Sequence, residues 1–358
     1  MNKTHGGNIW KIAKENGLRL KDIIDFSASI NPLGISPNAE AAMKNAVSIL
    51  GHYPEPGAEA IIHEMASFHS LPPENIIAGN GSSQFIYLIP QIFKPQKALL
   101  AEPCFSEYRS SLAKNCAINS FICREEDDFL PDTNKLFAEI ENGYDIIYLG
   151  NPANPAGAII NKKTILDIAA ECKKYKTTLI IDEAFIDFAE EDSVKRGAIL
   201  FDNLIVIRSM PKFVAMPGLR LGYIIAHDKI ISEFKDIMPP WSVNTIAILA
   251  GIESLRDKDY IRKTREWLAS DMPYLMEGLK AVPYIKTYPT KVNYILVKIL
   301  FNDITATDIR KQLLKEGILI RDCSNFIGLD SSFFRVAVRK KEENRLLIDC
   351  INSMFAQL

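Results

Sequence analysis

The sequence predicts an α/β protein: a large domain with a mostly parallel sheet covered by helices, followed by a smaller α+β domain. Two observations support this fold class. Short apolar runs alternate with longer amphipathic stretches between about residues 75 and 230. After about residue 240 the pattern changes to long helical stretches that lead into a few short strands. Alternating strands and helices are typical of a parallel sheet covered on both faces.

Six runs in the first part of the chain have strand character, and helical patterns lie between several of them. One such helical pattern covers 161–176. Ligands of a parallel sheet bind just beyond the carboxyl ends of its strands, so the residues that follow each run are the candidates for a site. The predicted strands are 75–81, 97–103, 145–152, 177–185, 203–209 and 222–228.

The later part of the chain predicts the smaller domain. A long helical stretch at 244–282 leads to a strand at 294–300. A helix, "TATDIRKQLLKEG", and the strands "ILIRDCS" and "FFRVAVR" follow it. We therefore predict a large domain over 31–240, with an N-terminal arm (1–30) and a small C-terminal domain (241–358) beside it.

Composition indicates a soluble cytoplasmic protein. The formal net charge is −2 and the pI is about 6.3, which favours neither a nucleic acid nor a membrane as partner. The six cysteines show no CxxC pair or metal-ligand spacing, as in reduced intracellular proteins. The N-terminus lacks the apolar region of a secretory signal, and no run approaches the roughly 18 apolar residues of a membrane span. The acidic run 124–132 predicts a solvated loop.

A serine, a lysine and two arginines lie in and directly behind the strand predicted at 203–209. Lys212 follows Ser209 by three residues, and Arg208 and Arg220 lie close in sequence. A lysine desolvated near cations has a lowered pKa and can form a Schiff base with an aldehyde. Both arginines are candidates to bind a phosphate while providing that cationic setting.

Four other strand ends carry complementary groups. Asp182 suits the protonated nitrogen of a pyridine ring, which the carboxylate keeps charged. The glycine-rich "GNGSSQ" precedes a helical pattern, and amides at a helix N-terminus form an anion site. Each feature alone has an ordinary structural explanation, but together they describe one site. The residues singled out at these four ends are Gly81, Ser82, Ser83, Phe105, Asn154 and Asp182.

The order of these motifs resembles the fold-type I pyridoxal-phosphate (PLP) enzymes of the aspartate aminotransferase superfamily. The resemblance implies that Lys212 carries the cofactor, that Asp182 pairs with its ring nitrogen and that Asn154 binds its phenolic oxygen. It implies further that Phe105 stacks on the ring. One departure is Phe185, where many members have a tyrosine. The residues implied to surround the cofactor phosphate are Gly81, Ser82, Ser83, Ser209, Arg220 and, from a neighbouring subunit, Tyr53.

The motifs "HGGN" (5–8), "DFSASINPLG" (25–34), "HYPEPG" (52–57) and "RDCSNFIGLDSSFFRVAVR" (321–339) are similar to those of the threonine-phosphate decarboxylases of cobalamin biosynthesis. This resemblance implies a homodimer that removes CO2 from L-threonine O-3-phosphate or L-serine O-phosphate. The alternatives are a histidinol-phosphate aminotransferase, which shares the core motifs, and a non-catalytic PLP-binding regulator. Arg339 remains an open candidate for substrate binding. The residues implied to bind substrate are His5, Asn31, Arg321 and Arg335.

Overall fold

Three sheets organise the part of the chain that the computed structural model describes, residues 6–114 and 116–356. The strands are β1 (Ile24–Asp25), β2 (Ile76–Asn80), β3 (Lys97–Glu102), β4 (Ala117–Ile122), β5 (Ile146–Gly150), β6 (Thr178–Asp182), β7 (Leu204–Ser209), β8 (Leu221–Ala226), β9 (Ile285–Thr287), β10 (Tyr294–Ile299), β11 (Ile318–Leu319), β12 (Arg321–Asp322) and β13 (Phe333–Ala337). The helices are α1 (Ile9–Asn16), α2 (Pro37–Ala46), α3 (Glu59–His69), α4 (Ser82–Phe93), α5 (Ser106–Leu112), α6 (Thr133–Ile140), α7 (Lys162–Lys174), α8 (Lys195–Ala198), α9 (Asp228–Ile237), α10 (Thr245–Arg256), α11 (Lys258–Lys280), α12 (Ala306–Lys315) and α13 (Lys341–Phe355).

The largest sheet has the strand order β2-β8-β7-β6-β5-β3-β4. Its strands run parallel except β8, which is antiparallel to both β2 and β7. The carboxyl ends of β2, β3, β5, β6 and β7 therefore meet at one edge, and β8 begins at that same edge. The predicted α/β architecture with a mostly parallel sheet is confirmed.

The central strands are apolar without interruption because both faces of this sheet are covered. Leu179 and Ile181 of β6 belong to the apolar cluster on one face, while Ile180 belongs to the cluster on the other. The same alternation continues in β7, with Val206 on the first face and Ile205 on the second. Successive side chains of a strand point to opposite faces, so a run buried on both sides is apolar up to its last residues, where Asp182 ends β6 and Arg208 and Ser209 end β7.

The smaller domain is built on the antiparallel sheet β12-β13-β10-β9. Helices α11, α12 and α13 contribute to its apolar core, with Leu275, Ile309 and Leu347 fully buried there. The short parallel pair of β1 with β11 joins the N-terminal segment to this domain. The small α+β domain expected from the later part of the chain is therefore present.

The helical stretch predicted at 244–282 is divided into two helices at Asp257. The Oδ1 atom of Asp257 accepts the Tyr260 N–H at 2.9 Å, and its Oδ2 atom accepts the Ser36 hydroxyl at 2.6 Å. Helix α10, before this break, packs Ala247 into the apolar core of the large sheet. The large-domain core therefore extends beyond the boundary predicted at residue 240.

Other expectations have mixed outcomes. The six predicted strands are confirmed, but β4 was not predicted, because this edge strand is only partly buried and lacks a continuous apolar run. The acidic segment 124–132 is not wholly solvated, since Glu125 bonds to the small domain and Phe129 is buried. Within the described residues no helix is long and apolar enough to cross a membrane. The cytoplasmic location stays a prediction.

Candidate active site

Lys212 ends a short 3-10 turn, Met210–Lys212, that directly follows β7. Its Nζ atom donates to Ser209 Oγ at 2.5 Å and lies 5.4 Å from the centre of the Phe185 ring. Burial lowers the Lys212 pKa to about 8; the charge of Asp182 opposes this shift and that of Arg220 adds to it. A larger share of the amine is therefore neutral near pH 7 than in an exposed lysine, as attack on an aldehyde requires.

Asp182, at the end of β6, is buried with both carboxylate oxygens engaged. The Tyr108 hydroxyl donates to Oδ2 at 2.5 Å, and the Ala184 N–H donates to Oδ1 at 2.9 Å. Burial raises the pKa of Asp182, whereas the Tyr108 hydrogen bond and the charge of Lys212 lower it. Sequence reasoning missed Tyr108; its position three residues after Phe105 on one helical turn was the available signal.

The N-terminus of α4 lies against the start of β8 and forms an anion cradle. A Cβ atom at Gly222 would lie 2.2 Å from the Ser82 amide nitrogen, so only glycine permits this approach. Gly81 precedes the helix with a φ of 80°. Arg220 donates from Nη2 to Ser83 Oγ at 3.0 Å. Free helical N–H groups beside a guanidinium suit a phosphate.

Phe105 and Asn154 follow the neighbouring strands β3 and β5 at this edge of the sheet and line the same small pocket. Phe105 precedes α5 and makes an edge-on contact with Tyr108, with ring centroids 5.8 Å apart. The Oδ1 atom of Asn154 accepts a hydrogen bond from Arg335. Phe185 packs edge-on against Tyr294, whose hydroxyl donates to Ala153 O at 2.8 Å. The position where many relatives have a tyrosine thus presents only an apolar ring.

Arg321 and Arg335 are cross-strand partners on β12 and β13, and both are largely buried. Arg321 donates to Asp322 O and to Asn325 Oδ1. Arg335 donates to Ser27 O at 2.9 Å. Among the described residues neither forms a salt bridge with a carboxylate. Burial lowers the Arg321 pKa, and the charge of Arg335 contributes to the shift, so an anion here would be strongly stabilised.

Arg208 does not share in the site, contrary to the expectation that it helps to bind a phosphate. Its side chain is fully buried and donates to Glu183 Oε2 at 2.9 Å and to Asp187 Oδ1 at 2.8 Å. Arg208 and Ser209 are consecutive strand residues, so their side chains point to opposite faces of the sheet. Arg208 instead joins β7 to the segment that follows β6.

The remaining predicted residues have different outcomes. Asn31 was expected to bind substrate, but its side chain is buried and its polar atoms are bonded to protein groups, so the structure gives this expectation no support. Arg339 pairs with Glu343 at 3.0 Å. Tyr53 is 82% exposed, and its ring contacts that of Trp241 at a tilt of 33°, with centroids 5.0 Å apart. His5 lies outside the described residues.

The groups brought together fit a phosphorylated pyridine aldehyde. An amine with a lowered pKa, a buried carboxylate and an anion-binding helix terminus lie at the ends of three strands of one sheet. The close approach that Gly222 permits supports the same interpretation, because it opens the helix N–H groups to a ligand beside Arg220. A second candidate for binding an anion, the pair Arg321 and Arg335, adjoins Asn154 through the contact of Asn154 with Arg335.

Known proteins resemble this chain over nearly its whole length. The family model described as aminotransferase class I and II matches residues 21–351. The threonine-phosphate decarboxylase of Salmonella typhimurium is 34% identical over 357 residues, covering 99% of this chain and 97% of that protein. Two solved structures superpose closely. The histidinol-phosphate aminotransferase of Clostridium acetobutylicum does so with a TM-score of 0.86 and 30% identity, covering 93% of this chain and 99% of that one. The L-threonine-O-3-phosphate decarboxylase of Porphyromonas gingivalis superposes with a TM-score of 0.80 and 25% identity, covering 92% of this chain and 99% of that one.

Proposed function

Because the chain belongs to the aminotransferase class I and II family, we propose that it is a PLP-dependent decarboxylase of a phosphorylated hydroxy-amino acid. The substrate is L-threonine O-3-phosphate or L-serine O-phosphate, and the product is the amino-alcohol phosphate, which the resemblance links to cobalamin biosynthesis. The observation that carries the proposal is the buried pair Arg321 and Arg335, which has no carboxylate partner in the described residues. The similarity to threonine-phosphate decarboxylase over almost the whole chain supports it.

The chain's own residues have separate tasks in holding the cofactor. Lys212 supplies the amine that attaches it, and Asp182 keeps a proton on its ring nitrogen. The N–H groups of α4 and the side chain of Arg220 bind its phosphate. Phe105 covers one face of its ring. When bound, PLP accepts the electron pair released when a bond at the substrate Cα breaks.

The proposed arginine pair determines which bond breaks. The bond perpendicular to the cofactor ring is the one cleaved, because its electrons overlap the ring system. A substrate held by its phosphate at Arg321 and Arg335 need not be held by its carboxylate near the ring plane. The carboxylate can then stand perpendicular and leave as CO2, and Lys212 or a water supplies the proton that Cα gains.

The proposed working form is a homodimer in which Tyr53 reaches the cofactor phosphate of the neighbouring subunit. The exposed rings of Tyr53 and Trp241 contact each other at the surface, and Val47, Ile49 and Leu50 are further exposed apolar side chains. Such an apolar surface favours contact with another protein chain. Residue 6 adjoins Arg321, since a Cβ at Gly6 would lie 3.6 Å from Arg321 Cδ. This placement supports the prediction that His5 acts beside the arginines.

The second candidate is a histidinol-phosphate aminotransferase. The close superposition on the enzyme from Clostridium acetobutylicum favours it, with 30% identity over nearly all of that chain. A transaminase would hold its substrate so that the Cα–H bond is perpendicular to the ring. The same arginine pair could serve that reaction by binding the phosphate of histidinol phosphate, which has no carboxylate, or a carboxylate of the 2-oxo acid partner.

The test is incubation of the PLP-loaded protein with L-threonine O-3-phosphate and with L-serine O-phosphate, in the absence of any keto acid. Sustained release of CO2 with formation of the amine phosphate is the expected result. The ratio of the two rates identifies the preferred substrate, although one methyl group contributes only about 1–3 kcal/mol of discrimination. Conversion of histidinol phosphate that depends on 2-oxoglutarate, without CO2 release, would establish the aminotransferase instead.

A matched pair of arginine variants tests the anchoring role. Arg335→Met removes a cation without a carboxylate partner, and we expect kcat/KM to fall at least about a hundredfold, because a hydrogen-bonded charge pair with the phosphate is lost. Arg339→Met removes a cation that already pairs with Glu343, so kcat/KM should change little. Equal losses in the two variants would contradict the assignment.

A further inference from the structure

Asn31 lies buried at the junction of three chain segments, and its contacts converge on the lysine. Its backbone N–H donates to Lys212 O at 2.9 Å. Its side-chain Nδ2 donates to Phe213 O at 2.8 Å. One residue thus holds two consecutive carbonyl groups of the segment that carries the lysine.

These carbonyls have left the regular hydrogen bonding of the sheet. Strand β7 ends at Ser209, and the following turn closes with the Phe213 N–H bonded to Met210 O at 3.2 Å. The Lys212 side chain is held at its tip by Ser209. Asn31 holds the main-chain end of the same residue, because its N–H groups bond to the carbonyl oxygens of Lys212 and Phe213.

The far side of Asn31 is fixed by the small domain. Its Nδ2 atom lies 2.8 Å from Thr264 Oγ1 and 3.0 Å from Tyr260 Oη, both on α11. Its Oδ1 atom accepts the Leu33 N–H at 3.0 Å. All its side-chain polar atoms are bonded to the protein, so none is left to bind a substrate.

The loop that contains Asn31 also reaches the anion site. Ser27, four residues earlier, accepts the Arg335 hydrogen bond through its carbonyl oxygen. The segment from Ser27 to Asn31 therefore joins the guanidinium at one end to the lysine main chain at the other. Helix α11 fixes this segment through the Asn31 amide.

We propose that Asn31 is a positioning residue that sets the main chain of Lys212 and couples it to α11. The inference rests on the proposed function, because it assigns the purpose of the contact to attachment of PLP at Lys212. Loss of the side-chain amide removes the 2.8 Å hydrogen bond to the buried Phe213 carbonyl and the link to α11, and leaves only the main-chain bond to Lys212 O to hold this segment. PLP is then lost from Lys212 faster than the lower free energy of unfolding alone would cause.

The experiment compares three variants. Asn31→Ala removes the amide, and Thr264→Val removes one of its partners with little change of shape. The control is Asn203→Ala, since Asn203 is also largely buried and donates to Ala169 O and Thr177 O, far from the lysine. For each protein, the rate at which bound PLP is lost to a scavenger and the occupancy of Lys212 after borohydride reduction are measured beside the free energy of unfolding.

We expect Asn31→Ala to lose PLP about tenfold faster than the parent, which corresponds to one buried hydrogen bond. Thr264→Val should show a smaller acceleration in the same direction. Asn203→Ala should lower the free energy of unfolding by a similar amount and keep the parental rate of PLP loss.

Equal rates of PLP loss in Asn31→Ala and Asn203→Ala, at equal stability, would overturn the proposal and leave Asn31 a purely structural residue. Should Asn31→Ala fail to fold, a Thr264→Val rate equal to the parent's would overturn it too. A parent protein that takes up no PLP at Lys212 would refute the proposed function itself. That result is distinguishable, because it appears before any variant is compared.

Discussion

Asp182 depends on its neighbours to remain charged. Burial raises its pKa, and the Tyr108 hydroxyl together with the charge of Lys212 counteracts that shift. Tyr108 is itself held by stacking on Tyr148, with ring centroids 4.9 Å apart and planes 13° from parallel. Among the residues that the structure describes, the hydroxyl of Tyr148 has no hydrogen-bond partner, so of the two hydroxyls only that of Tyr108 bonds to the carboxylate.

We predict that Tyr108→Phe weakens PLP binding. Without the donor the carboxyl pKa rises further, and a neutral carboxyl group cannot hold the proton on the ring nitrogen. A hydrogen bond to a charged group contributes roughly 1.5–3 kcal/mol, which is about ten- to a hundredfold in the dissociation constant. The constant is measured by titrating the PLP-free protein with PLP and following absorbance.

Tyr148→Phe is the control for this prediction, because it removes a neighbouring buried hydroxyl that bonds to none of the described residues. Its PLP dissociation constant should match that of the parent. A Tyr108→Phe protein that binds PLP as tightly as the Tyr148→Phe protein would show that the Asp182 carboxylate needs no support from the tyrosine.

The residues that sequence could identify are those whose chemistry follows directly from their place in the chain. Lys212, Ser209 and Asp182 lie in or directly behind uninterrupted apolar strands, so their meeting at one sheet edge was predictable. The hydrogen bond between Tyr108 and Asp182 joins residues 74 positions apart, and that between Asn31 and Phe213 joins residues 182 apart. Such contacts depend on how whole segments pack, which no local pattern records.

Among the elements, the 3-10 turn Glu125–Asp127 after β4 joins the two domains. Glu125 accepts hydrogen bonds from Lys286 at 2.8 Å, Tyr288 at 2.6 Å and Lys298 at 2.6 Å, all in the small-domain segment around β9 and β10. Burial would raise the pKa of Glu125, but these three donors outweigh it and lower the pKa to about 2. The sequence showed only a run of acidic residues, since the lysines lie more than a hundred positions away.

We predict that Glu125→Gln lowers the free energy of unfolding by about 1–2 kcal/mol at pH 7, a value reduced for the partial exposure of the pair. The folded-state pKa lies below the ordinary value of 4.5, so the stabilisation is complete above about pH 4.5 and is lost as pH falls toward 2. The contribution of Glu125 to the free energy of unfolding is measured by denaturant unfolding of both proteins at several pH values. The difference between parent and variant should shrink over that window.

Glu126→Gln supplies the control, because the neighbouring Glu126 is exposed and only approaches Arg124 at 4.0 Å. Its free energy of unfolding should equal the parental value at every pH. A Glu125→Gln difference that stays constant from pH 7 down to pH 3 would mean that the charge of Glu125 does not join the domains.

At the scale of the whole molecule, the residues of the proposed site come from the large sheet, the small domain and a neighbouring subunit. The large sheet presents Lys212 and Asp182 at one edge, and the small domain brings Arg335 to Asn154. Tyr53 lies at the surface with an exposed ring, which suits a role in a neighbouring copy rather than in its own subunit. The role of Tyr53 in a neighbouring subunit was predicted only from the family resemblance, because no local sequence pattern distinguishes an exposed tyrosine that contacts another chain.

We predict that two inactive variants complement each other when their subunits are mixed. Lys212→Ala lacks the amine and Tyr53→Ala lacks the tyrosine offered to the partner. If each site combines Lys212 of one subunit with Tyr53 of the other, a mixed dimer contains one intact site and one doubly altered site. Half of the dimers in an equal random mixture are mixed, so about a quarter of the parental activity per subunit should return.

A mixture of Lys212→Ala with Asp182→Ala provides the control, because both residues serve the site of their own subunit and every dimer then lacks an intact site. Activity is measured as CO2 release after subunit exchange, and size-exclusion chromatography confirms that exchange occurred. No recovery in either mixture would place Tyr53 in the site of its own subunit, whereas a Tyr53→Ala protein that is active by itself would place the residue outside any site. Recovery in the Tyr53→Ala mixture alone would establish that the active site is shared, since only two copies together can then supply all of its groups.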